Sequence, residues 1–121
     1  MVTELVLDIT KADWHSANDR LHWAAKAKRV SRIREAAAIA ADGLPAFDKA
    51  HVTAFIGYPK AGRADPANAS PVVKAAIDGM VDAGIIPDDD HTHLIGPDYR
   101  RDPNTGRPGI WRVRLHIQEV P

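Results

Sequence analysis

The sequence predicts an α/β fold of the two-layer α+β kind: a mixed sheet of about four strands with two main helices packed on it. Three observations carry this expectation. Leu5, Leu7 and Ile9 recur at every second position near one end of the chain, and Trp111, Val113, Leu115 and Ile117 do so near the other, the period of half-buried strands. Two intervening stretches carry apolar residues at helical spacing. The resulting order of strand, helix, strand, helix, strand, strand requires helices layered on a sheet.

Glu4 to Thr10 is the first strand. Ser16-Ala17-Asn18-Asp19 offers polar caps with an acid three residues after the serine, a variant of the capping box, and is expected to open a helix. Trp23, Ala27, Val30, Ile33, Ala37 and Ala41 then form its apolar stripe, and Asp42-Gly43 with Pro45 end it. His51 to Pro59 has apolar residues at both parities and reads as a central strand covered on both faces. Residues 60 to 69 form a loop. Ser70-Pro71 supplies an N-cap and a proline at the first position of a second helix, with Val73, Ile77, Met80 and Val81 on its buried face and Gly84 and Pro87 as stop signals. His93 to Tyr99 reads as a short strand interrupted by Gly96-Pro97. Asn104-Thr105-Gly106 marks the turn into the last strand, whose other parity carries Arg112, Arg114, His116 and Gln118.

The 121 residues fit one domain, which at this length buries roughly two-thirds of the surface its unfolded chain exposes. Cysteine is absent, which excludes disulfides and thiolate metal sites and makes the cytoplasm the expected compartment. The apolar run Leu5 to Leu7 is broken by Asp8, too short for a signal-peptide core or a membrane span, so no membrane partner is expected.

The sixteen basic and sixteen acidic residues cancel, but they are unevenly placed. Lys11 to Arg34 holds seven basic residues against two acidic ones, Asp65 to Asp98 seven acidic against one lysine, and Tyr99 to His116 five arginines against Asp102. Two basic segments bracket an acidic one. This pattern fits either ordinary surface charge or a nucleic-acid footprint with an acidic centre.

The acidic centre carries the chemistry. Asp88-Asp89-Asp90 comes after the second helix, Asp65 precedes it, and Lys74 and Asp78 stand four apart within it on one flank. By themselves these residues fit two readings, a solvated turn beside a surface ion pair, or an all-oxygen site for Mg²⁺ or Mn²⁺. Two carboxylates about 4 Å apart repel by roughly 4 kcal/mol at an effective dielectric near 20, so a true cluster needs a cation or a proton. His91-Thr92-His93 beside the aspartates admits zinc, although no cysteine or H-E-x-x-H spacing accompanies it.

Taken in order, Arg63-Ala64-Asp65-Pro66-Ala67-Asn68, Lys74-Ala75-Ala76-Ile77-Asp78-Gly79-Met80 and Ala83-Gly84-Ile85-Ile86-Pro87-Asp88-Asp89 resemble the core of the RusA family of Holliday-junction resolvases. That family shows R-x-D-x-D-N, then K-x-x-x-D-x-hydrophobic on a helix, then A-G-hydrophobic-x-x-D-D. Ser16-Ala17-Asn18 and Trp23 are similar to its N-terminal S-x-N and aromatic positions. The resemblance implies a magnesium-dependent homodimer that cuts four-way DNA junctions in recombination and repair. It implies Asp65 and Asp89 as metal ligands, Asp88 as a supporting carboxylate beside them, and Lys74 as the basic residue at the scissile phosphate. Asp78 and Asn68 are implied as supports, Asn68 beside Asp65.

One departure stands out. The second aspartate of D-x-D-N falls on Ala67, and two extra residues separate Asn68 from Lys74. Asp90 is the expected replacement ligand, with Asp78 the other candidate. Lys26, Lys28, Arg29, Arg32, Arg34, Arg112 and Arg114 are expected to hold DNA phosphates, giving affinity rather than sequence readout. Two other functions stay open at this point: a branched-DNA-binding protein with weak or no cleavage, and a metal-dependent phosphohydrolase acting on nucleotides, for which no Gly-rich phosphate loop is present.

Overall fold

The computed structural model describes residues 2–121, which form β1 (Val2–Thr10), α1 (Trp23–Ala41), β2 (Ala50–Gly57), a 3₁₀ turn (Pro66–Ala69), α2 (Ser70–Asp82), β3 (Leu94–Arg101) and β4 (Ile110–Glu119). The four strands make one mixed sheet in the order β1-β4-β2-β3. β4 runs antiparallel to both neighbours, and α2 provides the crossover that lets β2 and β3 lie parallel. The expected class, strand number and central position of β2 are all present.

Side-chain alternation becomes a buried face. Leu5, Leu7 and Ile9 of β1, Val113, Leu115 and Ile117 of β4, and Val52, Ala54 and Ile56 of β2 line one side of the sheet, where both helices lie. α2 is buried around most of its surface, through Val72, Val73, Ala75, Ala76, Ile77, Gly79 and Met80, whereas α1 buries only Ile33, Ala37 and Ala41. No helix among the described residues is long and apolar enough to cross a membrane.

Several local expectations are corrected. β2 is covered on one face only, because His51, Thr53 and Phe55 lie under no helix; the Arg114 guanidinium sits 4.1 Å from the Phe55 ring centre instead. α1 starts at Trp23, capped by His22, whose Nδ1 accepts from Ala24 N at 3.2 Å. The Ser16–Asp19 box forms without a helix: Asp19 accepts from Ser16 N, and Ser16 Oγ from Asn18 N. The predicted apolar stripe fades at its start, since Trp23 is 76% exposed. Ser70 does not cap α2, because the helix continues directly from the 3₁₀ turn that Asp65 caps. β3 extends to Arg101, and Gly96-Pro97, a cis bond, lies at a register shift against β2 rather than ending the strand.

The C-terminus of α2 positions the aspartate loop. Gly84, at φ +79°, donates to Val81 O and Ile85 donates to Met80 O, the Schellman pair that turns the chain sharply off the helix. Ile85 and Ile86 then plug the core, and Ile85 O accepts from Phe47 N at 2.7 Å. Asp88 to Asp90 therefore leave a point that is fixed in the core just before Pro87.

Gly79 sits where α2 crosses α1. A Cβ there would lie 2.4 Å from Arg34 O and 2.7 Å from Ala37 Cβ. Gly79→Ala is expected to destabilise the domain by about 1–3 kcal/mol, the usual result of overpacking, despite alanine's better helix propensity. Urea unfolding checks it, and unchanged or higher stability would mean that the helices separate freely.

Candidate functional site: a lysine between two aspartates

Lys74 projects from the second turn of α2, and Asp78 stands one turn later on the same flank. The Schellman turn and the isoleucine plug bring Asp89 back beside them. The Lys74 ammonium donates to Asp78 Oδ1 at 2.8 Å and also to Asp89 Oδ2. Asp78 and Asp89 are about one-quarter exposed, whereas Lys74 is 61% exposed. Hydrogen bonds to both carboxylates, Asp78 first, hold the Lys74 pKa above its ordinary value. The hydrogen bond from Lys74 holds Asp89 below the usual carboxylate range.

A groove of about 460 Å³ opens over Lys74 and Asp89, bounded by Lys26 of α1, Ser70 and Ile77 of α2, and Pro97 and Tyr99 of β3. Around it the aspartate loop is internally organised. Asp88 Oδ1 accepts from Asp89 N at 2.7 Å, and Asp90 Oδ1 accepts from both Thr92 N and Thr92 Oγ1. Asp90 O also accepts from His93 N and Leu94 N, which fixes the entry into β3.

Asp65 has a different local job. Its Oδ1 accepts from Ala67 N at 3.0 Å and its carbonyl from Asn68 N, so Asp65 and Asn68 share one turn, as the motif implied. Asn68 O accepts from Ala17 N, which docks the Ser16-Ala17-Asn18 segment on that turn. Distant pieces of the motif pattern therefore meet in space. The full predicted ligand set does not: among the described residues no group of three or more histidine or acidic side chains is placed to hold a metal. Asp78, rather than Asp90, shares the Lys74 ammonium with Asp89. His91 is exposed and His93 Nδ1 bonds Asp48 O, so the zinc alternative has no ligand cluster.

The predicted DNA-binding residues divide. Arg32 pairs with Asp13, Arg34 with Asp82 and Arg112 with Asp8, while Arg114 pairs with Asp102 and Glu4. Arg29 donates to Trp14 O. Lys26 and Lys28 form no ion pair among the described residues. Arg112 and Arg114 lie on the open face of the sheet, the opposite layer from α1, so the two basic segments do not merge into one surface.

Fold and groove define a small α+β domain with a lysine–carboxylate site at the edge of its helical layer. No protein-family profile matches the chain, and no curated protein matches it. Among solved structures, the thiamine-monophosphate kinase of Stenotrophomonas maltophilia is similar over 98% of this chain and 31% of its own, with 16% identity and a TM-score of 0.24. This chain spans about a third of that kinase's length, and so weak a likeness transfers neither fold nor activity.

Replacing Lys74 by alanine leaves Asp78 and Asp89 facing one another without their shared cation. The Asp89 pKa is then expected to rise to or above the ordinary value of about 3.9. Carboxyl-carbon NMR titration reads it directly. Because the folded-state pKa of Asp89 is lowered, its stabilisation is present above the unfolded value and fades as pH falls through the folded one. The stability difference between wild type and variant should accordingly shrink on acidification.

Proposed function

We propose that this protein is a structure-specific endodeoxyribonuclease that cuts four-way DNA junctions by phosphodiester hydrolysis with Mg²⁺ or Mn²⁺, acting as a cytoplasmic homodimer. The observation that carries the reading is the meeting of Lys74, Asp78 and Asp89 in one ion-paired group, on the elements that bear the resolvase-like motif. The donor set fits a hard cation, since Mg²⁺ keeps several waters and is commonly held by one or two carboxylates together with substrate phosphate. Asp89 and Asp78 would hold it, together with water and the substrate phosphate, since no three-acid group is assembled among the described residues. When bound, the ion supplies a water of lowered pKa and positive charge against the phosphate oxygens.

The chain's own part is electrostatic. Lys74 is an ammonium at neutral pH, held so by its two carboxylates, and cannot act as a general base. It offers positive charge where a phosphoryl group entering the groove accumulates negative charge. Lys26, on the groove wall, offers a phosphate contact from α1. A homodimer matches the approximate two-fold symmetry of a junction whose strands are cut in pairs.

Ala67 favours a second reading, a junction-binding protein with weak cleavage, because the aspartate expected there is missing and no three-ligand group is assembled among the described residues. A synthetic four-way junction with and without Mg²⁺ separates the two. Under the first reading the wild type cleaves only with metal, and Lys74→Ala or Asp89→Asn lowers the rate by about 10²–10³, the scale for losing one transition-state contact. Junction binding without cleavage in either metal would establish the second.

Salt dependence tests the basic face. Lys26→Ala should reduce the log–log salt slope of junction binding by about 0.9 for one lost phosphate contact. Arg32→Ala should change it less, since Asp13 already neutralises that guanidinium. Equal slopes for wild type and Lys26→Ala would remove α1 from the interface.

A further inference from the structure

A cavity of about 680 Å³, larger than the groove at Lys74 and Asp89, opens away from them, at the end of the sheet where β2 and β4 meet their loops. Tyr58, Pro59 and Trp111 give it flat apolar walls, and Lys11, Lys60, Arg63 and Arg101 surround it. Its size is that of a small-molecule site.

Its cations contrast with five arginines elsewhere on the surface. Arg32, Arg34, Arg107, Arg112 and Arg114 all pair with carboxylates. The four cations at this cavity pair with none among the described residues, and no acidic side chain lines it. Four unneutralised cations around one concavity repel each other, so the site favours an anion.

The cavity is also held in shape. Arg101 donates to Gly62 O at 2.6 Å and to Asn104 Oδ1 at 3.2 Å, both uncharged, and its guanidinium lies 4.6 Å from the Tyr58 ring centre. Trp111 stacks on Trp14 with ring centres 5.3 Å apart and planes 7° apart, and Tyr58 meets Trp14 edge-on. Thr105 N donates to Tyr58 O at 2.8 Å, closing the rim. Burial raises the Tyr58 pKa, so its hydroxyl stays protonated and can donate.

Flat aromatic walls recognise a planar ring, and clustered lysine and arginine recognise a phosphate; a ligand that carries both within one cavity length is a nucleotide. We infer that the cavity between Tyr58, Trp111 and Arg101 binds a nucleoside phosphate, its base against the aromatic wall and its phosphate on Lys60, Arg63 and Lys11. The phosphate-bearing base comes either from a free mononucleotide or from an unpaired position in a DNA strand. The site stands independently of the nuclease reading, because none of its residues belongs to the Lys74 triad.

The test uses the full chain in a Trp23→Phe background, which removes the exposed tryptophan on α1. Titration with dAMP should quench the remaining tryptophan emission saturably. The doubly substituted Lys60→Ala, Arg63→Ala protein should bind about tenfold more weakly or worse, because two phosphate contacts are lost. Neither side chain is buried, and circular dichroism checks that the variant is folded. Deoxyadenosine and inorganic phosphate should each bind at least about tenfold more weakly than dAMP, since each supplies half of the contacts. A single-stranded hexadeoxyadenylate that binds more tightly than dAMP at equal salt identifies a DNA strand as the source; equal affinity identifies the free nucleotide. The inference is overturned if dAMP gives no saturable change at millimolar concentration. It is equally overturned if the double variant binds like its parent, or if phosphate alone binds as well as dAMP. Junction cleavage by the same variants is scored separately, so failure of dAMP binding with intact cleavage refutes this site without touching the first.

Discussion

The contact on which the arrangement depends is the close crossing of α1 and α2 at Gly79. With no Cβ, α2 lies against the Arg34 carbonyl and Ala37, and the small residues Ala37 and Ala41 continue the seam. α2 is thereby buried on most sides while its Lys74–Asp78 flank stays open. The same crossing brings Arg34 to Asp82, an exposed pair whose guanidinium and carboxylate hold each other charged. A bulkier residue at position 79 would push on the helix that presents the candidate site, so packing and chemistry share one constraint.

From that helix the chain is returned by geometry rather than by charge. Gly84 turns it, Ile85 and Ile86 anchor it, and Asp89 arrives at Lys74 as a consequence. Two carboxylates and one ammonium then satisfy each other in a half-open groove. Such a group keeps one net negative charge at rest, which a hard cation entering beside it would offset, while the ammonium remains available to a phosphate.

The distribution of paired and unpaired cations is the second organising feature. Arg32 and Arg34 of α1 and Arg112 and Arg114 of β4 are bound to acids contributed by distant segments, among them Asp13, Asp82, Asp8 and Asp102. Among the described residues, Lys26 at the groove and Lys11, Lys60, Arg63 and Arg101 around the aromatic cavity form no ion pair, and neither do Lys28 and Arg29 on α1. Unpaired positive charge is therefore available to a ligand at two concavities as well as along the first half of α1.

Much of the fold was legible in the chain itself. The two-residue alternation in β1 and β4, the helical spacing through α1 and α2, and the stop at Gly84 depend on neighbours in sequence, and local stereochemistry acts on them directly. The association of Lys74 with Asp78 was legible for the same reason, being one helical turn. The sequence also offered Asp89 through its motif, but not the choice of Asp78 over Asp90 as its companion, because Asp90 is drawn to Thr92 by a loop geometry that has no period. Nor did it reveal that β2 has one open face, or that Arg32, Arg34, Arg112 and Arg114 are neutralised, or that Lys11, Tyr58, Arg101 and Trp111 enclose a cavity. By itself the sequence determined the elements and the charged residues they carry, because those depend on short-range backbone and side-chain preferences. Only the tertiary structure decided which charges meet, because a pairing such as Asp8 with Arg112 depends on strand register across the whole chain, and register is set by burial of one sheet face.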